Sequence, residues 1–288
     1  MMIRVIVNPA AGRGKPLKLL GAVCAELEKR ALNYIVTHSE RAGHVTELAR
    51  EAGQATALLV MGGDGTLSEV VSGLNGRPAR LYLVPSGTGN DFVKTLRLPR
   101  DPLAALRAQL DGSAAPIDLP QLNGRAFLNV AGTGFDVDVV RKAERYKQRF
   151  SGLMTYLLGL IQAIRHFKPI AARITIDGVT CVKQLTIIEV ANGRYFGGGM
   201  KVAPDADPSD GLLDLVYVDA VKRWQIWLLL PLFIPGWFTH LPITHHARVS
   251  ALTIESEGMT MIVDGELYAT DRAEFGILPG RISVCGSQ

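Results

Sequence analysis

The sequence predicts two domains: an open α/β domain over residues 1–120 and a mainly antiparallel β-sandwich domain with helical insertions over residues 121–288. Three observations carry this. The first 120 residues alternate short apolar runs with helical periodicity, the pattern of strands and helices layered around a parallel sheet. Beyond Pro120 the texture changes to β-branched and aromatic runs separated by turn residues. A chain of 288 residues, 48% hydrophobic and 20% charged, has material for one large or two modest cores, which excludes a disordered, collagen-like or coiled-coil protein.

In chain order, Ile3–Val7, Ala57–Met61 and Leu81–Val84 are apolar runs closed by turn residues, expected as buried parallel strands. Leu20, Cys24, Leu27 and Ala31 share one face of a helix opening near Pro16, and Leu67, Val70, Val71 and Leu74 mark a second helix. Asp101-Pro102 caps a third, with Leu103, Leu106 and Leu110 inward. In the second domain Phe127–Ala131, Ala172–Ile176, Gln184–Ala191, Leu212–Val218, Val249–Ile254 and Met259–Val263 read as strands. Helical insertions interrupt them near residues 137–167 and 220–234, and the last run, Ile282–Cys285, fits a return to either domain.

Net charge is +4, concentrated in residues 121–173, where nine Lys/Arg face three Asp/Glu. Its focus is Arg141, Lys142, Arg145, Lys147 and Arg149, just before the apolar stretch LMTYLLGLIQAI. A solvated helix face and a patch for an anionic membrane surface both fit this run. Nucleic acid is not expected as a partner, because no recognised motif or aromatic interleaving accompanies the charge. Cys24, Cys181 and Cys285 are too few and too scattered for a disulfide framework, and are expected as packing residues in a reducing compartment. MMIRVIVNP enters a strand directly, without the apolar core of a signal peptide, so the expected location is cytoplasmic, peripheral to the membrane. Trp224–Phe238 is too short and too broken by Pro231, Pro235 and Gly236 to span a bilayer; it reads equally as a core helix or an interfacial anchor carrying Trp224, Trp227 and Trp237.

Three glycine-bearing loops close the three N-terminal strands: NPAAGRGK at 8–15, GGDGTLSE at 62–69 and PSGTGNDF at 85–92. Ligands of open α/β sheets bind beyond the carboxyl ends of the strands, where such loops and the helices after them aim backbone N–H groups at phosphate. Glycine lets a polyanion approach the backbone closely, and the Thr66 and Thr88 hydroxyls can donate to it. None of the loops has P-loop or full dinucleotide-fingerprint spacing. Asp64, an acid inside such a loop, calls for a cation, a proton-transfer role or a helix-capping role. His240, His245 and His246 lack a metal-binding pattern and are expected in a loop.

GGDGT, PSGTGND and GGGMKVAPDADPSDGLLDL together resemble the diacylglycerol kinase catalytic family, particularly the soluble bacterial lipid kinases, over nearly the whole chain. GGDGT alone is shared with NAD kinases; the later motifs narrow the resemblance. It implies an NAD kinase/diacylglycerol kinase-like first domain, with ATP between the domains. Thr37, Gly62, Gly63, Asp64, Gly65, Thr66, Leu67, Ser68 and Thr88 would lie at the nucleotide, with Asn8, Gly12, Arg13 and Gly14 nearby. It also implies a structural Mg2+ held by the Asp210 carboxylate and the carbonyls of Asp207 and Leu212. Asp264 or Glu266, in the DGE turn, would accept the proton, Glu266 by closest analogy, with Asp64 the third catalytic candidate. Ala11, Ser68 and Ser209 depart from the residues usual at their positions.

The expected activity is transfer of the γ-phosphate of Mg-ATP to the hydroxyl of diacylglycerol or a related lipid at an anionic membrane surface. An NAD-kinase-like activity on a soluble acceptor and a non-catalytic nucleotide- and lipid-binding regulator stay open. So do the identity of the lipid and the oligomeric state, a homodimer included.

Overall fold

The computed structural model describes residues 2–53, 56–146 and 153–286. The chain begins with β1 (Met2–Val7), α1 (Lys15–Lys29), β2 (Asn33–His38), α2 (His44–Glu51), β3 (Thr56–Gly62), α3 (Asp64–Leu74) and β4 (Ala79–Pro85), then the short α4 (Asp91–Thr95) and α5 (Pro102–Asp111). The four strands are parallel in the order β2-β1-β3-β4. Alternation sends Val5, Leu59 and Met61 to one face, with Val23 and Leu27 of α1 and Leu106 of α5. Ile6, Leu58 and Val60 go to the other, against α2 and α3. Edge strand β2 escaped the sequence reading because NYIVTH has no buried residue and its Ile35 is exposed.

Then follow β5 (Ala114–Leu122), β6 (Arg125–Ala126), β7 (Val130–Gly134), α6 (Phe135–Glu144), α7 (Leu153–His166), β8 (Ile170–Ile176), β9 (Val179–Ala191), β10 (Tyr195–Phe196) and β11 (Met200–Lys201). The chain ends with β12 (Leu213–Asp219), α8 (Arg223–Phe233), β13 (Thr244–Val249), β14 (Ala251–Glu255), β15 (Thr260–Val263), β16 (Glu266–Ala269) and β17 (Arg272–Cys285). Pairing among these strands is antiparallel throughout. Two hairpins turn on Asp-Gly pairs with both residues at positive φ, Asp177-Gly178 (49° and 77°) and Asp264-Gly265 (48° and 94°), the backbone that a tight twisted hairpin demands. Strand β17 joins the two halves. Its first part pairs with β14, it runs antiparallel to β5, and after a register shift between Leu278 and Ile282 its end lies parallel to β4, Ile282 opposite Ala79.

Several expectations are corrected. Helix α1 ends at Lys29, so Ala31 lies past it at φ 52°, and its buried stripe is Val23, Glu26 and Leu27. The strand expected from Phe127 starts only at Val130, because the Asp264 carboxylate takes the Leu128 and Asn129 N–H groups that a ladder would use. Val249–Ile254 is two strands broken at Ser250. Cys285 is buried and Cys24 half-buried, but Cys181 is exposed on β9 and is no packing residue. His245 and His246 lie in strand β13, bonded to Asp219 (2.8 Å) and to the Thr239 carbonyl (2.9 Å). Of the basic run, Arg141 bonds the Thr260 hydroxyl and Lys142 pairs with Asp138, while Lys147 and Arg149 lie outside the described residues.

Candidate functional site

The loops after β1, β3 and β4 are packed on one another. Asn8 Nδ2 donates to Thr66 Oγ1 (3.0 Å), and the Ser86 N–H donates to the Gly62 carbonyl (2.9 Å). A Cβ on Gly12, at φ 52°, would sit 1.8 Å from the Ser86 carbonyl oxygen, and one on Gly87 would sit 2.4 Å from the Gly63 Cα. These glycines therefore serve contact between loops, backbone against backbone. Gly14 and Gly65 differ: nothing lies within 4 Å of their Cβ directions, so their backbone is open to a ligand. They stand at the N-termini of α1 and α3, where free N–H groups and the helix dipole favour anions.

The other nucleotide candidates separate by exposure. Arg13 and Thr88 are exposed and Thr37 half-buried, whereas Leu67 packs in the core and Ser68 is 2% exposed. The helical period of α3 turns these last two inward, so their side chains do not face the open loops as expected. Thr66, 4% exposed, has its hydroxyl engaged by Asn8.

Asp64 opens α3 and points to the start of α4, where it accepts the Phe92 N–H at 3.1 Å. Burial raises its pKa; N–H groups at 90–92 oppose the rise, and the Asp91 carboxylate adds to it. Asp91, 4% exposed, accepts from Lys94 Nζ (2.8 Å) and from the Gly198 N–H (2.7 Å), tying the third loop to the glycine run after β10. Thr95 Oγ1 takes the Arg194 N–H at 3.1 Å, a second tie between the two halves.

The DGE turn faces this arrangement. Asp264 bends its carboxylate back onto the N–H groups of Leu128 (2.7 Å), Asn129 (2.8 Å) and Val130 (3.3 Å). Burial nevertheless pushes it up to about 6, with the Asp64 carboxylate adding to the rise, so the two acids sense each other across the cleft. Glu266 is exposed and paired with Arg125. Glu69 of α3 is raised by burial first and by Glu266 second. The structure thus brings Asp64, Asp264 and Glu266 to one region in three different environments.

The expected metal loop is held from below by Asp118, 2% exposed, which accepts the Gly211 (2.6 Å) and Gly280 (2.7 Å) N–H groups. Asp207 accepts from the Ser209 N–H and hydroxyl; Asp210 accepts the Leu212 N–H (2.9 Å) and pairs with Arg248. Among the described residues no three His, Cys, Asp or Glu side chains form a metal cluster. The expected set, one carboxylate with two carbonyls, still fits a hard divalent cation: its donors are all oxygens, and neighbouring Asp214 Oδ2 is buried with no hydrogen-bond partner among the described residues. Burial pushes Asp214 up to about 6, helped by Asp205. Arg248 pairs with Asp210 and its Nε lies 3.9 Å from Asp214 Oδ1, so it is the positive charge a cation would join or displace.

Sequence reasoning passed over Asp91 and Asp118. Asp91 was in plain view inside GTGND, but its role depends on Gly198, more than a hundred residues away. Asp118 carries no motif of its own; only its two distant N–H partners reveal it.

Residues 2–122 match the family described as diacylglycerol kinase catalytic domain, and residues 129–286 match the YegS C-terminal NAD kinase beta sandwich-like domain. The chain is 30% identical to a diacylglycerol kinase of Mycobacterium tuberculosis, over 98% of this chain and 94% of that protein. It is also 30% identical to one of Bacillus subtilis, over 96% and 91%. A crystal structure of a diacylglycerol kinase from Bacillus anthracis superposes with a TM-score of 0.74 at 22% identity, covering 98% of this chain and 95% of that one, a likeness of fold.

Proposed function

The chain belongs to the diacylglycerol kinase catalytic family and is a kinase that phosphorylates a lipid alcohol; we propose that it transfers the γ-phosphoryl group of ATP to the hydroxyl of diacylglycerol or a closely related lipid at a membrane surface. The observation that carries this reading is the placement of Asp64: a buried, pKa-raised carboxylate beside two open glycine helix starts and facing the DGE turn. Phosphoryl transfer asks a protein mainly for positioning and charge. The N-termini of α1 and α3 orient phosphate oxygens, with Arg13 before α1, Lys15 at its first position and Lys94 of α4, paired with Asp91, to offset their charge. Asp264 is committed to three backbone N–H groups and holds the turn in place. That leaves Asp64 and Glu266 to take the proton from the acceptor hydroxyl, and the burial that raises the pKa of Asp64 favours its taking up a proton. Mg2+ would be held by the Asp210 carboxylate with the carbonyls of Asp207 and Leu212, where it supplies positive charge among the acids of that loop.

The test is transfer of labelled γ-phosphate from Mg-ATP to a panel of lipids in mixed micelles, with NAD as the soluble acceptor and Asp64→Asn as control. Label in the diacylglycerol lane that disappears in the variant is the expected result. Label only on NAD, or ATP binding without transfer in any lane, overturns the reading.

A further inference from the structure

Fourteen large hydrophobic side chains are exposed among the described residues, and eight of them lie in two helical segments of the C-terminal half. Trp224, Trp227 and Leu228 project from α8 at 60%, 49% and 63% exposure; Ile234 and Trp237, at 65% and 64%, extend the patch beyond the helix end. Helix α7 adds Tyr156 and Leu157. The two helices form one flank, since Ile164, Phe167 and Ile226 share a buried cluster and Arg223 Nε donates to the Phe167 carbonyl at 3.2 Å. Only Ile226 and Leu229 of α8 are buried. An ordinary surface helix turns polar residues to water on its free side; α8 turns tryptophan and leucine there.

The two segments that build the flank carry charge of one sign, while Asp138 and Glu144 stand on the neighbouring α6. Residues 145–176 and 220–254 contain no Asp or Glu, and Arg165, Lys168, Lys222 and Arg223 are exposed within them. This identifies the occupant. A second copy of the chain docked symmetrically would bring these cations against their own kind with no carboxylate from either segment to pair them. An anionic bilayer neutralises the cations and accepts indole rings at headgroup depth. No described helix is long and apolar enough to cross a membrane, and α8, eleven residues with Pro231 inside, suits a position in the interface plane. The flank is continuous with the site: a Cβ on Gly236 would lie 2.9 Å from Lys201 Cβ, and the strand of Lys201 follows the glycine run whose Gly198 N–H bonds Asp91.

We infer that the outer flank of α7, α8 and the Trp237 turn is a docking surface for an anionic lipid bilayer, seating the mouth of the interdomain cleft at headgroup level. The inference rests on the lipid-kinase reading, because a kinase of membrane lipids must meet its acceptor at that level.

The experiment is flotation of the full chain, without ATP, on phosphatidylcholine vesicles with and without phosphatidylglycerol, monitored also by tryptophan emission. Wild type should float with the anionic vesicles with a blue-shifted emission. Trp224→Ser/Trp227→Ser/Trp237→Ser should lose binding at least about tenfold, and Lys222→Glu/Arg223→Glu should lose chiefly the anionic preference. Both variants should keep wild-type turnover of a short-chain diacylglycerol dispersed in solution. No vesicle binding by wild type, equal binding by the triple-tryptophan variant, or a wild-type dimer that this variant dissociates while vesicles go unbound would each overturn the docking surface. Because binding is read without ATP, loss of the kinase reading alone would leave vesicle binding intact with no phosphorylated lipid formed.

Discussion

At the mouth of the N-terminal sheet, backbone packs on backbone and the loop side chains Asn8, Ser86, Asn90 and Asp91 all have hydrogen-bond partners. Beneath the C-terminal helices, by contrast, all four carboxylate oxygens of Asp136 and Glu189 are buried with no hydrogen-bond partner among the described residues. Glu189 stands on β9 directly opposite Gly132 of β7, where a Cβ would fall 2.0 Å from its Oε2; only glycine leaves room for it. Burial pushes Asp136 up to about 7 and raises Glu189 well above the ordinary carboxylate range. The first region obtains its geometry from satisfied bonds and close contacts. The second keeps its acids in the fold by holding them protonated, which makes its stability depend on pH.

The widest gap between the regions should appear on adding one methyl group to the loops. Gly12→Ala must strain a positive φ and displace the Ser86 carbonyl, and is expected to lower stability by about 3 kcal/mol in urea unfolding. Gly65→Ala meets open space, so it should unfold within about 1 kcal/mol of wild type while raising the KM for ATP. Equal unfolding midpoints for the two variants would break the claim that these glycines have different jobs.

Within the cleft, Asp64→Asn should reduce kcat by about 10²–10⁴, and Glu266→Gln by less, because Glu266 is exposed and already paired. A larger loss for Glu266→Gln, with removal of the acid limb of the pH–rate profile, would reassign the base.

For the C-terminal pair the sign follows from the raised folded-state pKa values. The native chain binds more protons than the unfolded chain between the ordinary carboxylate range and about pH 7, so stability is greatest at the acid side of that window and falls as pH rises through it. Asp214 and Asp264, both pushed up to about 6, act in the same direction. Glu189→Gln should flatten the decline and raise Tm at pH 8 by about 2–4 °C, with little change at pH 5. Parallel Tm profiles for variant and wild type would mean that the pair is not held neutral.

The smallest effect is expected from Arg125→Ala. Its ion pair with Glu266 is solvent-accessible, so stability should change by less than about 1 kcal/mol, and any larger change in activity would report Glu266 freed within the site.

The sequence by itself determined the parts whose cause is local. Apolar runs of the right length became β1, β3 and β4; Asp101 caps α5 through the Ala104 N–H at 2.8 Å; and the Asp-Gly pairs made the turns that their backbone freedom allows. The glycine motifs, and through them the family, were legible because each is a short run of particular residues at fixed spacing. Tertiary structure alone decided which glycines face open space and which face another loop, since that depends on what lies opposite each one. It decided that Asp264 is a backbone anchor, that β17 joins the two halves into one continuous sheet, and that the segment around Trp224 lies outward, with only Ile226 and Leu229 of α8 in the core. A carboxylate's role is set by its partners and its burial, and a tryptophan's by the side of a helix left uncovered. Both arise from residues distant in the chain, so neither can be read from the residue or its neighbours in sequence.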